Sequence, residues 1–195
     1  MSSDDRPIIL ITGAGGNIGS ALAAALSRDY RIVGLDRTAD AADYPTFAAD
    51  FANAPAVELA MTRMRERFGS KIAGVIHLVA YFDQTGKDNP LYHCVNVEGT
   101  RSLLRALQPF EVEQFVYAST MLVHAPCRPG EHIDEEQPFE PAYAYPQSKL
   151  EAEQVIAAEH GRIPYVILRL AGVYDEKHVI PTLAPQIARI HGREF

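Results

Sequence analysis

The stretch PIILITGAGGNIGS, Pro7 to Ser20, passes from a continuous apolar run through a glycine-rich turn into a segment dense in alanine and leucine. A run without polar alternation suits a strand covered on both faces, which places Pro7–Thr12 at the centre of a parallel sheet. The segment Asn17–Arg28 predicts the helix that follows, and RIVGLD, Arg31–Asp36, the second strand, completing one βαβ unit. In the turn, Gly13, Gly16 and Gly19 satisfy the spacing GxxGxxG, whereas GxGxxG fails because Ile18 stands at its third glycine. Glycines let the backbone turn tightly and approach a pyrophosphate, whose charge meets the free N–H groups where Asn17 and Ile18 open the helix. A glycine turn that binds nothing has the same bare pattern; the strand before it and the helix after it favour the dinucleotide.

Outward from this unit the alternation continues. TFAAD (Thr46–Asp50), a helix over Val57–Phe68, a strand over Gly74–Ala80 and a helix over Leu91–Leu107 follow in turn. A strand over Gln114–Thr120, a helix over Pro146–His160 and a strand over Tyr165–Ala171 complete the series. Strands separated by helices predict an α/β fold, a doubly wound parallel sheet with helices on both faces. The connection from Ala125 to Ala142 carries four prolines and is long enough to lie over a site.

Composition narrows the function. The chain has 195 residues and a net charge of −7, with no Lys/Arg cluster, so neither nucleic acid nor an anionic membrane is an expected partner. Cys94 and Cys127 match no metal or redox spacing and read as free thiols of a cytoplasmic protein. The seven histidines fall into no ligand spacing, and no metal site is expected. The apolar run Ile8–Ile11 is too short for a signal segment or a membrane span, and the residues before it are acidic.

Three groups carry candidate chemistry. Asp36 ends the second strand seventeen residues beyond Gly19, where a carboxylate accepts both ribose hydroxyls of an adenosine half and favours NAD over NADP. Arg37 beside it is able to welcome a 2′-phosphate instead. Asp50, with Phe51 next to it, is a candidate acceptor for the adenine amino group, or simply a turn former. Tyr145 and Lys149, four residues apart, share a helix face, and a nearby ammonium lowers the pKa of a phenol toward that of a usable base. Tyr143 has no such lysine. Ser119 and Thr120 close the strand QFVYAST, at the carboxyl end where open α/β sheets bind ligands. A small-molecule alcohol or ketone fits such a set.

The chain resembles the extended short-chain dehydrogenase/reductases of the NAD-dependent epimerase/dehydratase family. The matching pieces are ITGAGGNIGS, Asp36, HLVA (His77–Ala80), NVEGT (Asn96–Thr100), VYASTMLV, YPQSK and LRLAGVY (Leu168–Tyr174). The resemblance implies a Rossmann domain over 1–181 and, in 182–195, the start of a substrate-binding region that this chain largely lacks. It implies that Leu78, Val79 and Ala80 line the cofactor with Ser119 nearby, that Asn96 supports Lys149, and that Thr120 is the active hydroxyl. It implies NAD-dependent chemistry at a secondary alcohol or ketone carbon, and a homodimer through a four-helix contact of Leu91–Leu107 and Pro146–His160. Two stretches, Val123–Ala125 and Gly172–Glu176, depart from the sugar-nucleotide members, so a polar group that often meets a sugar is missing. A protein that only senses NAD(P), keeping the fold without catalysis, is the alternative.

Overall fold

The computed structural model describes residues 5–40, 42–83, 85, 87–128, 130–174 and 184–192. The expected domain boundary at 181/182 and the departing residues Asp175 and Glu176 lie outside the described residues. In chain order the elements begin with β1 (Ile8–Thr12), α1 (Asn17–Leu26), β2 (Arg31–Asp36), β3 (Thr46–Ala48) and α2 (Ala54–Phe68). Next come β4 (Lys71–Ile72), β5 (Gly74–His77), and a π-helical segment, Tyr92–Glu98, that runs into α3 (Gly99–Leu107). The remainder are β6 (Glu111–Val112), β7 (Phe115–Thr120), α4 (Ala144–Glu159), β8 (Tyr165–Leu170) and α5 (Ala184–Gly192).

Six strands form one parallel sheet in the order β3-β2-β1-β5-β7-β8. The order reverses between β1 and β5, so the crevice at their carboxyl ends is the topological switch point where such sheets take ligands. The register brings the functional ends together: Thr12 pairs with Leu35 on one side and with His77 on the other. His77 in turn pairs with Tyr117, so β7 runs three residues further and carries Ser119 and Thr120 past the end of β5. The strand expected over Gly74–Ala80 stops at His77: the Leu78 amide is shared between the Thr12 carbonyl (3.3 Å) and the Thr12 hydroxyl (3.1 Å), and the Val79 amide donates to that hydroxyl at 3.3 Å.

Side chains alternate across β1, and the two faces are covered differently. Ile8 and Leu10 join Val33, Leu35, Phe115 and Tyr117 in the large core beneath α2, α3 and α4, closed by Met61, Met64, Leu103, Leu104, Leu107 and Ile156. Ile9 and Ile11 face α1 in a smaller cluster with Ala23 and Ile32. That smaller cluster stops short of β8, whose Val166 and Leu168 remain 40% and 45% exposed. No helix among the described residues is long and apolar enough to cross a membrane.

Candidate active site

The glycine turn is built to bring backbone close to backbone. Gly13 has φ +71°, the left-handed region that favours glycine, and a Cβ on Gly19 would lie 2.3 Å from the Gly13 carbonyl oxygen. Gly16 stands at the N-cap of α1 with no side chain over the first amides, which leaves the amides of the opening turn, where Asn17, Ile18 and Gly19 stand, open to an anion. A cleft of about 860 Å³ is lined by Gly13, Gly16, Asp36, Arg37, Asp50, Phe51, Leu78, Val79 and Ala80, nine of the positions expected from the sequence. Asn17, Ile18 and Gly19 line the adjoining cavity of about 570 Å³ on the other side of the turn.

Asp36 sits at the rim of this cleft with one carboxylate oxygen accepting from the Gly15 amide (2.9 Å) and the other from the Arg37 amide (2.7 Å). Each oxygen keeps a lone pair for a ribose hydroxyl. Asp50 lines the cleft and accepts from the Ala52 amide at 2.9 Å through Oδ1, the bond of a turn former. Phe51 lines the cleft, while its ring is buried in the core and stacks on His77 at 5.6 Å.

His77 anchors the floor. Its Nε2 meets the Thr100 hydroxyl at 2.9 Å, and that hydroxyl is committed as donor to the Asn96 carbonyl at 2.7 Å. Thr100 must therefore accept, which assigns the proton to Nε2 and leaves Nδ1 to accept from the Thr12 hydroxyl at 2.6 Å. Complete burial, with the Lys149 charge nearby, lowers the His77 pKa to about 3 and keeps the ring neutral. The chain of donors ends on Leu78 and Val79, whose amides it fixes at the edge of the cleft.

Thr120, Tyr145 and Lys149 converge on one small cavity of about 150 Å³, together with Ser119, Ile18, Leu78 and Ala80. Thr120 accepts from the Leu122 amide at 3.3 Å and keeps its proton for a substrate oxygen. Tyr145 opens α4, braced edge-on by Phe82 at 4.8 Å. Asn96 secures that turn: its amide nitrogen donates to the Ser148 hydroxyl at 2.9 Å, and Ser148 donates to the Tyr145 carbonyl at 2.7 Å. These bonds tie Asn96 to the turn of α4 that precedes Lys149. The Lys149 ammonium lies 4.1 Å above the Tyr117 ring, and burial lowers its pKa to about 7 against a small opposing pull from Glu153. The expected lowering of the Tyr145 phenol by Lys149 is not found; burial, with Tyr143 and Tyr92 adding to it, raises that phenol.

Of the side chains around this cavity, Glu153 was missed in the sequence. Ser119, expected near the cofactor, lines the small cavity and donates to the Glu153 carboxylate at 2.5 Å. Glu153 continues the face of Tyr145 and Lys149 by one more turn, and that spacing is the mark by which it was legible. His124 is buried; its Nδ1–H donates to the Gln137 carbonyl at 2.8 Å and its ring stacks on Phe139 at 5.3 Å, clasping the proline-bearing connection.

Comparison with known proteins identifies the family. Residues 9–194 match the profile of the NAD dependent epimerase/dehydratase family. The chain is 25% identical over 177 residues to the N-acetyl-alpha-D-glucosaminyl-diphospho-ditrans,octacis-undecaprenol 4-epimerase of Escherichia coli O157:H7, covering 87% of this chain and 50% of that protein. It is 35% identical over 135 residues to the 3 beta-hydroxysteroid dehydrogenase type 7 of Mus musculus, covering 62% of this chain and 37% of that protein. A crystal structure of the Thermus thermophilus UDP-glucose 4-epimerase in complex with NAD superposes with a TM-score of 0.73 at 28% identity, over 88% of this chain and 57% of that one. The chain spans half or less of the length of these two curated relatives.

Proposed function

Because the chain belongs to the NAD-dependent epimerase/dehydratase family, we propose that it is the NAD-binding and acid/base half of an enzyme acting at a secondary alcohol or ketone carbon. The observation that carries this reading is the convergence of Thr120, Tyr145 and Lys149 on one cavity at the carboxyl end of β7, bordered by Leu78, which also lines the large cleft. NAD fits that cleft: the turn tolerates no Cβ at Gly19, the helix N-terminus offers amides to a pyrophosphate, and Asp36 offers two oxygens to a ribose. NAD held there would supply the hydride acceptor for an alcohol carbon, or in reduced form the donor for a ketone.

The chain's own residues supply the rest. Tyr145 takes the hydroxyl proton as the carbon becomes a carbonyl, and Thr120 holds the same oxygen with its hydroxyl. Lys149 in its ammonium form stabilises the phenolate, and burial works against that form, lowering its pKa to about 7. Burial that raises the Tyr145 phenol makes this cation necessary, since an isolated buried phenol is no base at neutral pH. The substrate is a small molecule, sugar-like or otherwise. On the same reading the helices from Tyr92 to Leu107 and from Ala144 to Glu159 supply a homodimer contact.

The test is turnover with NAD(H) across sugar nucleotides, sugar acids and simple ketones. Tyr145→Phe is expected to lower it by roughly 10²–10⁴ with NAD affinity kept, and Tyr143→Phe to be mild. Equal loss in both variants would sink the assignment. NADH that accumulates marks net oxidation, and NADH that does not marks an epimerase or dehydratase. A protein that binds NAD and turns over none of these substrates, at any length, fits the sensing alternative.

A further inference from the structure

Behind the catalytic face lies a set of buried charges whose role, as argued below, rests on the reading of Tyr145 and Lys149 just given. Glu153 is 5% exposed and Arg169 on β8 is 22% exposed, in contact through Nη2 and Oε2 at 2.8 Å and through Nε at 3.2 and 3.3 Å. Ser119 adds its hydroxyl to the same carboxylate. Arg169 also reaches His124 Nε2 at 3.4 Å and stacks its guanidinium 4.7 Å from the Phe139 ring. One carboxylate therefore joins the helix that carries Tyr145 and Lys149, the strand end that carries Thr120, and the connection that follows it.

An unpaired carboxylate one helical turn from Lys149 would draw the ammonium to itself. Here both Glu153 oxygens are occupied by Arg169 and Ser119, and the Lys149 ammonium lies over Tyr117 instead. We propose that Ser119, Glu153 and Arg169 form a positioning triad: Glu153 ties the end of β7 to α4, and Arg169 cancels its charge so that Lys149 is left to serve Tyr145. None of the three is a catalytic residue.

The test reads the ionisation of Tyr145 as the ultraviolet difference between each protein and its Tyr145→Phe counterpart, with and without saturating NAD. The ionisable groups facing Tyr145 and Lys149 are His77 from β5, Tyr92 from the π-helical segment, Tyr117 from β7, Tyr143 before α4, and Glu153 itself. Only the last is altered by the variants. Arg169→Met exposes Lys149 and Tyr145 to an uncompensated carboxylate, and the phenol midpoint moves up by roughly one pH unit. Glu153→Gln, which keeps the shape and the acceptor for Ser119, leaves Arg169 uncompensated and moves it down by about as much. The double variant returns to the wild-type midpoint. Shifts of opposite sign that cancel are not produced by a structural role alone. Single variants that titrate like wild type, or a double variant that stays displaced, overturn the triad. If Arg169→Met does not fold, Glu153→Gln decides alone, by a lowered or an unchanged midpoint. Absence of NAD binding in the wild type would strike the functional reading, and the NAD-free midpoints would still decide the triad.

Discussion

His77 sits in a strand of small apolar residues, where nothing in the sequence distinguishes it from an ordinary core histidine. In the fold it is the joint between β1, β5 and α3, through Thr12 and Thr100. Its ordinary pKa of 6.5 falls to about 3 on burial, so between those values the unfolded chain holds a proton that the folded chain does not. Stability then falls as pH drops below about 6.5, at up to ~1.4 kcal/mol per pH unit, and the loss levels off near the folded value. Denaturant unfolding across this range is expected to show that slope, and His77→Asn, although less stable, to lack its share. A slope identical in both proteins would show that His77 is not the group responsible. Asp36, Tyr145 and Lys149 were readable because each has a fixed offset from a glycine turn or a helix start. The bonds that Ser119, Glu153 and His124 make were not, because their partners are distant in sequence: Ser119 and Glu153 are thirty-four residues apart, and His124 and Arg169 forty-five.

At the scale of elements, strands and helices with strong local patterns were legible nearly to the residue, as β1, β2 and β7 illustrate. Helix α2 starts earlier than Val57, at Ala54, since Pro55 is tolerated in a first turn behind the extended Asn53. The π-helical turn from Tyr92 to Glu98 was hidden, because the sequence shows a helical period and not its hydrogen-bond register. Strands β4 and β6, two residues each, were too short to leave a period at all. The glycine turn gives the sharpest test of an element. A methyl on Gly19 would meet the Gly13 and Ala14 carbonyl oxygens at 2.3 and 3.0 Å, backbone that cannot yield without opening the turn. Gly19→Ala is expected to cost about 1–3 kcal/mol of stability and to weaken NAD binding with it. Gly172→Ala, with nothing within 4 Å of its new methyl, is the neutral control. Denaturant midpoints that move equally for both would refute the close approach as the cause.

For the whole molecule, the parallel sheet places every element of the proposed chemistry at one edge. The dinucleotide cleft lies over β1, β2 and β5, and the acid/base cavity over β7 and α4. The doubly wound order was readable from strand–helix alternation, but the unequal covering of its two faces was not. Composition gives no hint that Val166 and Leu168 on β8 stay exposed while Phe115 and Tyr117 on β7 are sealed. The central claim, that this edge is built for NAD, is tested most directly by calorimetric titration of NAD and NADP into the wild-type chain and into Asp36→Ala. The account predicts saturable binding of one NAD per chain, weaker binding of NADP, and a loss of about 1–3 kcal/mol for NAD in the variant. Absence of saturable NAD binding by the wild type, or equal NAD affinity in the two proteins, would contradict it.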